Sequence, residues 1–253
     1  MWSWWRAWQL RWRQCVSLDT QWQSYYSALR SQLGLTFSNA KFMAIDLEMT
    51  GLNPKTDQII SIGLVPIIRG QARLSGAQSC YIRIHGSVGN SATIHGIVDA
   101  RLDNALSIDE ALQWFLAQSQ GYVLLAHHAS LELGFLQAAF MQSQRNNASA
   151  NSRTHAPTNS LASMGWLTKG RLFDVPMIDT LAIEKHRLLR QQDTIGKGSL
   201  RLNACRLRYG LPTYDAHDAL TDALAAAELF IAQYWAIGQG DDIKVTELLN
   251  LSY

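Results

Sequence analysis

The sequence predicts an α/β fold, a mixed sheet with helices on its faces. Apolar, strand-like segments come first in the chain and then alternate with helical ones, which is the order expected of such a sheet. The 253 residues are 47% hydrophobic and 17% charged. This composition is enough to bury a core within one domain, with or without an appendage, and it argues against a wholly disordered chain.

The first strand is predicted over residues 42–47, where an apolar run ends in polar and turn residues. A second, longer apolar strand is predicted over 59–68. An alternating segment at 80–84 predicts a third. A helix is predicted to begin after Ser107, because Glu110 stands three residues later, the spacing of a capping box.

The rest of the chain alternates between the two kinds of segment. Strands and helices are predicted, in order, as a strand at 122–126, a helix at 131–141, a strand at 174–178 with a helix to about 190, and helices at 200–209 and 218–235. Residues 141–172 are rich in Gln, Asn, Ser and Thr and contain no acid. This segment predicts a long polar surface loop inserted in the domain.

The first 40 residues are basic and rich in tryptophan. Six of the nine tryptophans lie in the first 22 residues, and residues 1–30 hold four arginines against one aspartate. Trp5, Trp8 and Trp12 recur at helical spacing, which predicts an amphipathic helix packed on the body of the protein or on a second copy. A membrane-surface or partner-binding helix is the alternative. We therefore divide the chain into an extension (1–40), a main domain (41–238) and a short C-terminal segment (239–253).

Targeting signals and cysteine chemistry limit the classes of protein. No run of about 18 apolar residues is present, and the tryptophan-rich start has no uninterrupted apolar region followed by a cleavage site, so we expect neither a transmembrane helix nor a secretory signal. Cys15, Cys80 and Cys205 are far apart, which predicts neither a disulfide framework nor a metal ribbon. We expect a reducing, cytoplasmic location.

Acidic residues recur where predicted strands end or helices begin. Asp46 and Glu48 are two residues apart on a strand, so their side chains share a face. Glu132 lies in the first turn of one predicted helix and Asp222 in that of another. Each feature alone is typical of a solvated strand end or a helix N-terminus. Together, four carboxylates at one sheet edge predict a two-metal site for Mg²⁺ or Mn²⁺, with His217 beside it as a general base.

Four ordered segments resemble the motifs of the DEDDh superfamily of 3′–5′ exonucleases. They are residues 46–54 with 59–63, residues 93–99, residues 127–136 and residues 217–223. The resemblance spans about 42–234 and implies a ribonuclease-H-like fold with a mixed five-stranded sheet. It implies 3′–5′ hydrolysis of nucleic acid to 5′-mononucleotides with two Mg²⁺ or Mn²⁺ ions. The implied ligands are Asp46, Glu48, Glu132 and Asp222, the implied base is His217, and the implied contacts to the terminal nucleotide are Thr50, Gly51, Leu52 and His95.

Within that superfamily, the chain is more broadly similar to the proofreading epsilon subunit of bacterial DNA polymerase III and its stand-alone relatives. Only residues 46–52 resemble oligoribonuclease. Single-stranded DNA is therefore the expected substrate, with RNA processing or a non-enzymatic binding module as alternatives. The chain departs from the family at Glu132, where the family has Asp, and at Leu131 and His128, which replace Phe and Asn. The longer arm of Glu132 puts activity and metal preference in question.

A second resemblance concerns a partner. Residues 32–37, with the sequence QLGLTF, resemble the peptide that binds the bacterial sliding clamp. The clamp is thus a candidate partner, although the same residues lead directly into the first predicted strand. The tryptophan-rich extension is the other candidate site for a protein partner or a second copy.

Overall fold

The computed structural model describes residues 20–84, 105–151, 173–191, 194–215, 217–238 and 241–252. This part of the chain forms seven α-helices: α1 (Thr20–Leu33), α2 (Ile108–Ser119), α3 (Ala129–Asn151), α4 (Thr180–Gln191), α5 (Leu202–Arg208), α6 (Ala219–Gly238) and α7 (Val245–Asn250). It also forms six strands: β1 (Lys41–Met49), β2 (Ile59–Ile68), β3 (Gln71–Ala72), β4 (Gln78–Tyr81), β5 (Val123–Ala126) and β6 (Met177–Asp179).

The strands form one mixed sheet. Its order is β3-β2-β1-β5-β6, with β4 also paired to β2. β2 runs antiparallel to β1, whereas β5 and β6 continue the sheet in parallel. The predicted mixed sheet is confirmed, but the predicted count of five strands is one too low. The third position holds two short strands, because a 3₁₀ turn at Leu74–Gly76 interrupts the pairing with β2.

Helices cover the centre of this sheet. Every residue of β2 from Ile59 to Ile67 is buried, as expected for a strand covered on both faces. α6 packs along β1 and β2, and α3 contacts β1, β5 and β6. The predicted capping box of α2 is confirmed, since the Ser107 side chain accepts from the Glu110 N–H and the Glu110 carboxylate accepts from the Ser107 N–H.

The described part of the N-terminal extension packs on the body of the protein. Trp22, Tyr25, Tyr26 and Leu29 on α1 are at most 2% exposed and belong to the hydrophobic core of the main domain. The amphipathic helix predicted from Trp5, Trp8 and Trp12 remains a prediction. The tryptophans before residue 20 lie outside the described residues.

The polar loop predicted over residues 141–172 needs correction in part. The loop predicted from residue 141 is wrong as far as Asn151, because α3 continues to that residue. Residues 141–151 are polar but contain no Gly or Pro, so a solvated helix can continue through them. Residues 152–172 lie outside the described part.

Among the described residues, no helix combines the length and the hydropathy that a membrane span requires.

The clamp-like peptide is folded into the core. Leu33 is 5% exposed and Phe37 is 1% exposed. The Phe37 ring stacks on Tyr234 with 3.6 Å between centroids, and its N–H donates to the Ile243 carbonyl. Because an extended, accessible peptide is needed to reach another protein, this burial argues against clamp binding through residues 32–37.

Candidate active site

The C-terminal half of β1 carries the first two acids of the site. The ladder pairs Asp46 with Gly63 and Glu48 with Ser61 of β2. Asp46 is partly buried and Glu48 is only 6% exposed. Alternation along the strand directs both side chains to the same face, as the sequence predicted.

α6 brings a third acid onto this face. A Cβ atom on Gly63 would lie 2.1 Å from the carbonyl oxygen of Ala219, so only glycine lets the first turn of α6 approach the sheet this closely. Asp218 caps that turn, since its Oδ1 accepts from the Thr221 N–H at 2.9 Å. Asp222 lies in the same turn. One possible ligand atom from each of Asp46, Glu48 and Asp222 falls within a group that spans 4.8 Å.

α3 supplies the fourth acid. Glu132 lies in its first turn and is 3% exposed. The Leu47 N–H of β1 donates to the Glu132 carboxylate, whereas Oε2 has no hydrogen-bond partner among the described residues. A buried carboxylate oxygen without a partner is costly, and a cation would satisfy it. The all-carboxylate set suits a hard cation such as Mg²⁺ or Mn²⁺.

Burial and mutual repulsion dominate the electrostatics of these four acids, which we call the carboxylate cluster. Burial, then the charges of Glu132 and Asp222, raise the pKa of Asp46 well above its usual range. The pKa of Glu132 is likewise raised well above its usual range, first by burial and then by Glu48. Burial, then Asp222 and Asp218, raise the pKa of Glu48 to about 8. Four ionised carboxylates this close together need positive charge to offset their mutual repulsion.

The histidine predicted as the base is near this cluster. The His217 N–H donates to Asp222 Oδ2 at 2.9 Å, its side chain is exposed, and its φ of 76° is unusual for a residue other than glycine. His127 has a different role. Its Nε2 lies 2.8 Å from the Leu200 carbonyl and its Nδ1 lies 2.9 Å from Thr180 Oγ1, so protein groups occupy both ring nitrogens.

The segment after β1 flanks the cluster. Thr50 is tied to Gln58 by two hydrogen bonds of 2.9 Å, one through its hydroxyl and one through its N–H. A Cβ atom on Gly51 would lie 2.5 Å from a carboxylate oxygen of Asp57, so this glycine permits the close turn. Leu52 is 76% exposed, an unusual exposure for leucine beside a charged site.

Comparison with known families identifies the class of protein. The model of the exonuclease family matches residues 43–230, which contain the sheet and all four acids. This chain belongs to the exonuclease family.

Curated relatives of this exonuclease-family chain include DNA polymerase III proteins. It is 30% identical over 199 residues to the PolC-type DNA polymerase III of Thermotoga maritima, covering 78% of this chain but only 12% of that protein. It is 26% identical to the DNA polymerase III epsilon subunit of Treponema pallidum, covering 75% of this chain and 74% of the relative. The chain thus spans only a small part of the PolC-type relatives.

Solved exonuclease structures share the fold. Cell-death related nuclease 4 superposes with a TM-score of 0.57 and 16% identity, covering 80% of this chain and 65% of the other. E. coli exonuclease I in complex with a dT13 oligonucleotide superposes with a TM-score of 0.57 and 14% identity, covering 79% of this chain and 42% of the other. The ribonuclease-H-like fold expected from the sequence is confirmed.

The structure brings together most of the site residues that the sequence singled out in this exonuclease-family chain. Asp46, Glu48 and Asp222 form one group, Glu132 lies beside them, and the His217 backbone bonds to Asp222. His95, with the rest of 93–99, lies outside the described residues.

Sequence reasoning missed Asp179, which fixes the start of two helices. Its Oδ1 accepts from the N–H groups of His128 and Leu181, and its Oδ2 accepts from the Ala129 N–H, at 3.0–3.1 Å. Asp179 therefore links β6 to the starts of α3 and α4 and helps to position Glu132. Its place at the end of a short strand, directly before a helical segment, was the available signal.

Sequence reasoning also missed a second set of buried charges, which we call the α4–α6 ion network. Glu184 is fully buried and pairs with Arg187 at 2.5 Å and Arg208 at 3.2 Å. Arg206 is fully buried and pairs with Glu228 at 2.8 Å. Arg206 also donates to the carbonyls of residues 212 and 225, which ties the segment leading to residue 217 onto α6.

Proposed function

We propose that this chain is a metal-dependent 3′–5′ exonuclease that hydrolyses the 3′ ends of single-stranded DNA to 5′-mononucleotides. The observation that carries the proposal is the carboxylate cluster. Three separate elements, β1, α3 and α6, bring four acids to one edge of the sheet, and burial with mutual repulsion raises the pKa of Asp46, Glu48 and Glu132.

The cluster fits a pair of divalent cations. Asp46, Glu48 and Asp222 would hold one ion, and Asp46 with Glu132 would support a second. Bound there, Mg²⁺ or Mn²⁺ supplies stabilisation of negative charge on the attacking and leaving oxygens of the phosphodiester. The protein contributes ligands whose positions the sheet and two helix starts fix before substrate arrives.

The remaining site residues act on the substrate and on water. The exposed His217 imidazole takes the proton of the attacking water as a general base. Thr50 and Gly51 bound the pocket for the terminal nucleotide through a turn that Gln58 and Asp57 hold in place. Leu52 packs against the terminal base.

DNA is favoured over RNA because the relatives are DNA polymerase III proteins. A preference for RNA is the second candidate, since residues 46–52 resemble oligoribonuclease. The free thiols of Cys80 and Cys205 fit a reducing compartment, and we propose a cytoplasmic location.

The test is cleavage of a 5′-labelled single-stranded DNA 20-mer, with an RNA twin, in Mg²⁺ and in Mn²⁺. We expect a ladder that shortens from the 3′ end, faster on DNA, and none with Asp46→Ala protein prepared in parallel. A faster ladder on RNA would reassign the substrate. Folded protein that gives no ladder with either metal would contradict the proposed activity and favour a binding module.

A further inference from the structure

A cleft opens beside the carboxylate cluster. Its volume is about 830 Å³, and its lining includes Leu131, Leu181, Lys185, Leu200, Arg201 and His217. Leu131 directly precedes Glu132, and the His217 N–H bonds to Asp222. One wall of this cleft, which we call the α4 cleft, is therefore formed by neighbours of the proposed metal ligands.

A second groove also reaches α3. It has a volume of about 860 Å³ and is lined by residues 54–58 and by Gly134 of α3. In the sequence of α3, Glu132 lies between Leu131, which lines the α4 cleft, and Gly134, which lines this second groove. The second groove begins just after residues 50–52, the proposed boundary of the terminal nucleotide. A strand whose 3′ end lies there would pass the cluster and continue into the α4 cleft.

The α4 cleft carries positive charge that the described protein does not neutralise. Lys185 and Arg201 are exposed, and neither side chain makes an ion pair or hydrogen bond with another described residue. The nearby arginines of α4 and α5 differ, because Arg187, Arg206 and Arg208 all pair with glutamates. Among the described residues that line the cleft, none is an acid. Two uncompensated cations at its rim favour a polyanion.

The rest of the lining suits nucleotides. Leu181, Ile195 and Leu200 are half-buried apolar side chains that can pack against bases without reading their sequence. Gly196 and Gly198 leave the backbone open on one side, which allows a sugar–phosphate chain to approach closely.

From this arrangement we propose that the α4 cleft binds the substrate strand on the 5′ side of the scissile phosphate, with Lys185 and Arg201 contacting backbone phosphates. This inference rests on the proposed exonuclease function and adds the path of the strand. Both residues are substrate-binding groups outside the metal site. Their loss weakens binding of an oligonucleotide and leaves the chemical step on the terminal nucleotide intact.

The experiment compares wild type with Lys185→Ala/Arg201→Ala on two substrates. One is a single-stranded dT 20-mer; the other is the p-nitrophenyl ester of thymidine 5′-monophosphate, which has no upstream phosphate. We expect KM for the 20-mer to rise about 10-fold or more, and the slope of log KM against log salt to fall by about 1.4, roughly 0.7 per lost contact. The kcat/KM for the ester should stay within about 2-fold.

Two controls accompany that variant. Lys244→Ala removes an exposed lysine at the start of α7, near the N-terminal end of β1 and away from the cleft, and should leave KM unchanged. Lys185→Arg/Arg201→Lys keeps both charges and should restore most of the salt slope. An unchanged KM and slope in the alanine variant, or equal losses on both substrates, would overturn the proposal.

The inference and the proposed function fail separately. If wild type cleaves neither substrate, the proposed function is contradicted, and fluorescence anisotropy with a labelled dT 20-mer still tests the cleft. Weaker binding by the alanine variant than by Lys244→Ala would then support the strand path. Equal affinities would overturn it.

Discussion

The protein buries charged side chains in two places, and it treats them in opposite ways. In the α4–α6 ion network, burial raises the pKa of Glu184, but hydrogen bonds from Arg187 and Tyr209 outweigh burial and hold it below its usual value. In the carboxylate cluster every neighbour that raises the pKa of Asp46 is another acid. In the network arginines face the buried Glu184, whereas in the cluster acids face one another, which is the arrangement expected of a site that binds cations. We therefore expect substitutions in the network to lower stability and substitutions in the cluster to lower activity without that loss.

The largest effect is expected from Asp46→Asn, which removes the acid that interacts with all the others in the cluster. Hydrolysis should fall at least about 10³-fold, roughly 4 kcal/mol in the activation barrier. The metal-free melting temperature should stay equal or rise, because the variant removes a buried charge that has no described cation partner. Rates on the labelled DNA 20-mer and thermal melts in EDTA measure both. A folded variant with near wild-type rate would show that the cluster is not the catalytic metal site.

The opposite response is expected from Arg206→Met in the ion network. Removing the cation leaves Glu228 without its ion pair, although the Tyr214 hydroxyl still donates to it, and leaves two carbonyls without their donor, which should cost about 3 kcal/mol of the free energy of unfolding. At about 2–4 °C per kcal/mol, the melting temperature should fall by roughly 6–12 °C. Arg190→Met, at an exposed position on α4, is the matched control and should change stability by no more than about 0.5 kcal/mol. Similar melting temperatures for the two variants would remove the contrast between network and cluster.

Local sequence patterns were sufficient to predict the acids of the carboxylate cluster but not the residues of the ion network. Asp46 and Glu48 were predictable because strand alternation relates residues two apart, and Asp222 because a helix start is visible in the sequence. Arg206 and Glu184 carry no such signal beyond the i,i+3 spacing of Glu184 and Arg187, since their other charged partners lie 22 and 24 residues away and are set by helix packing. The role of Gly63 became visible only once the first turn of α6 was placed on β2. The polar end of α3 was not predictable from composition alone, because a polar composition does not distinguish a loop from a helix without Gly or Pro.

Glu48→Gln tests the contrast between cluster and network through the pH dependence of stability. Because the folded protein raises the pKa of Glu48 from about 4.5 to about 8, the metal-free folded state retains a proton that the unfolded chain releases. Stability should therefore fall as pH rises between those values, and this contribution should disappear in the variant. At pH 8 the metal-free variant should melt about 3–6 °C above wild type, a gain of roughly 1.5 kcal/mol.

Mg²⁺ provides the control for that pH effect. Bound cations favour the ionised carboxylates, so Mg²⁺ should raise the wild-type melting temperature more at pH 8 than at pH 6. In the Glu48→Gln variant, Mg²⁺ should raise the melting temperature less than in wild type at both pH values. Parallel pH profiles of metal-free wild type and variant would mean that Glu48 ionises in the folded state as readily as in solution.

The smallest effect is expected from Glu132→Asp, which restores the family's usual acid. The longer side chain of Glu132 is buried against β1, with the Leu47 N–H donating to its carboxylate and Oε2 lacking a described partner. Shortening it by one methylene should cost about 1 kcal/mol of stability and withdraw the carboxylate from the cluster. Because aspartate keeps the negative charge at the same position in the first turn of α3, we expect activity to change by less than about 10-fold, mainly as a shift in the ratio of Mg²⁺- to Mn²⁺-supported rates. Glu132→Gln keeps the length without the charge and should lose far more. If the aspartate and glutamine variants lost activity equally, the length of this side chain would matter as much as its charge, and α3 would hold the acid at a distance specific to glutamate.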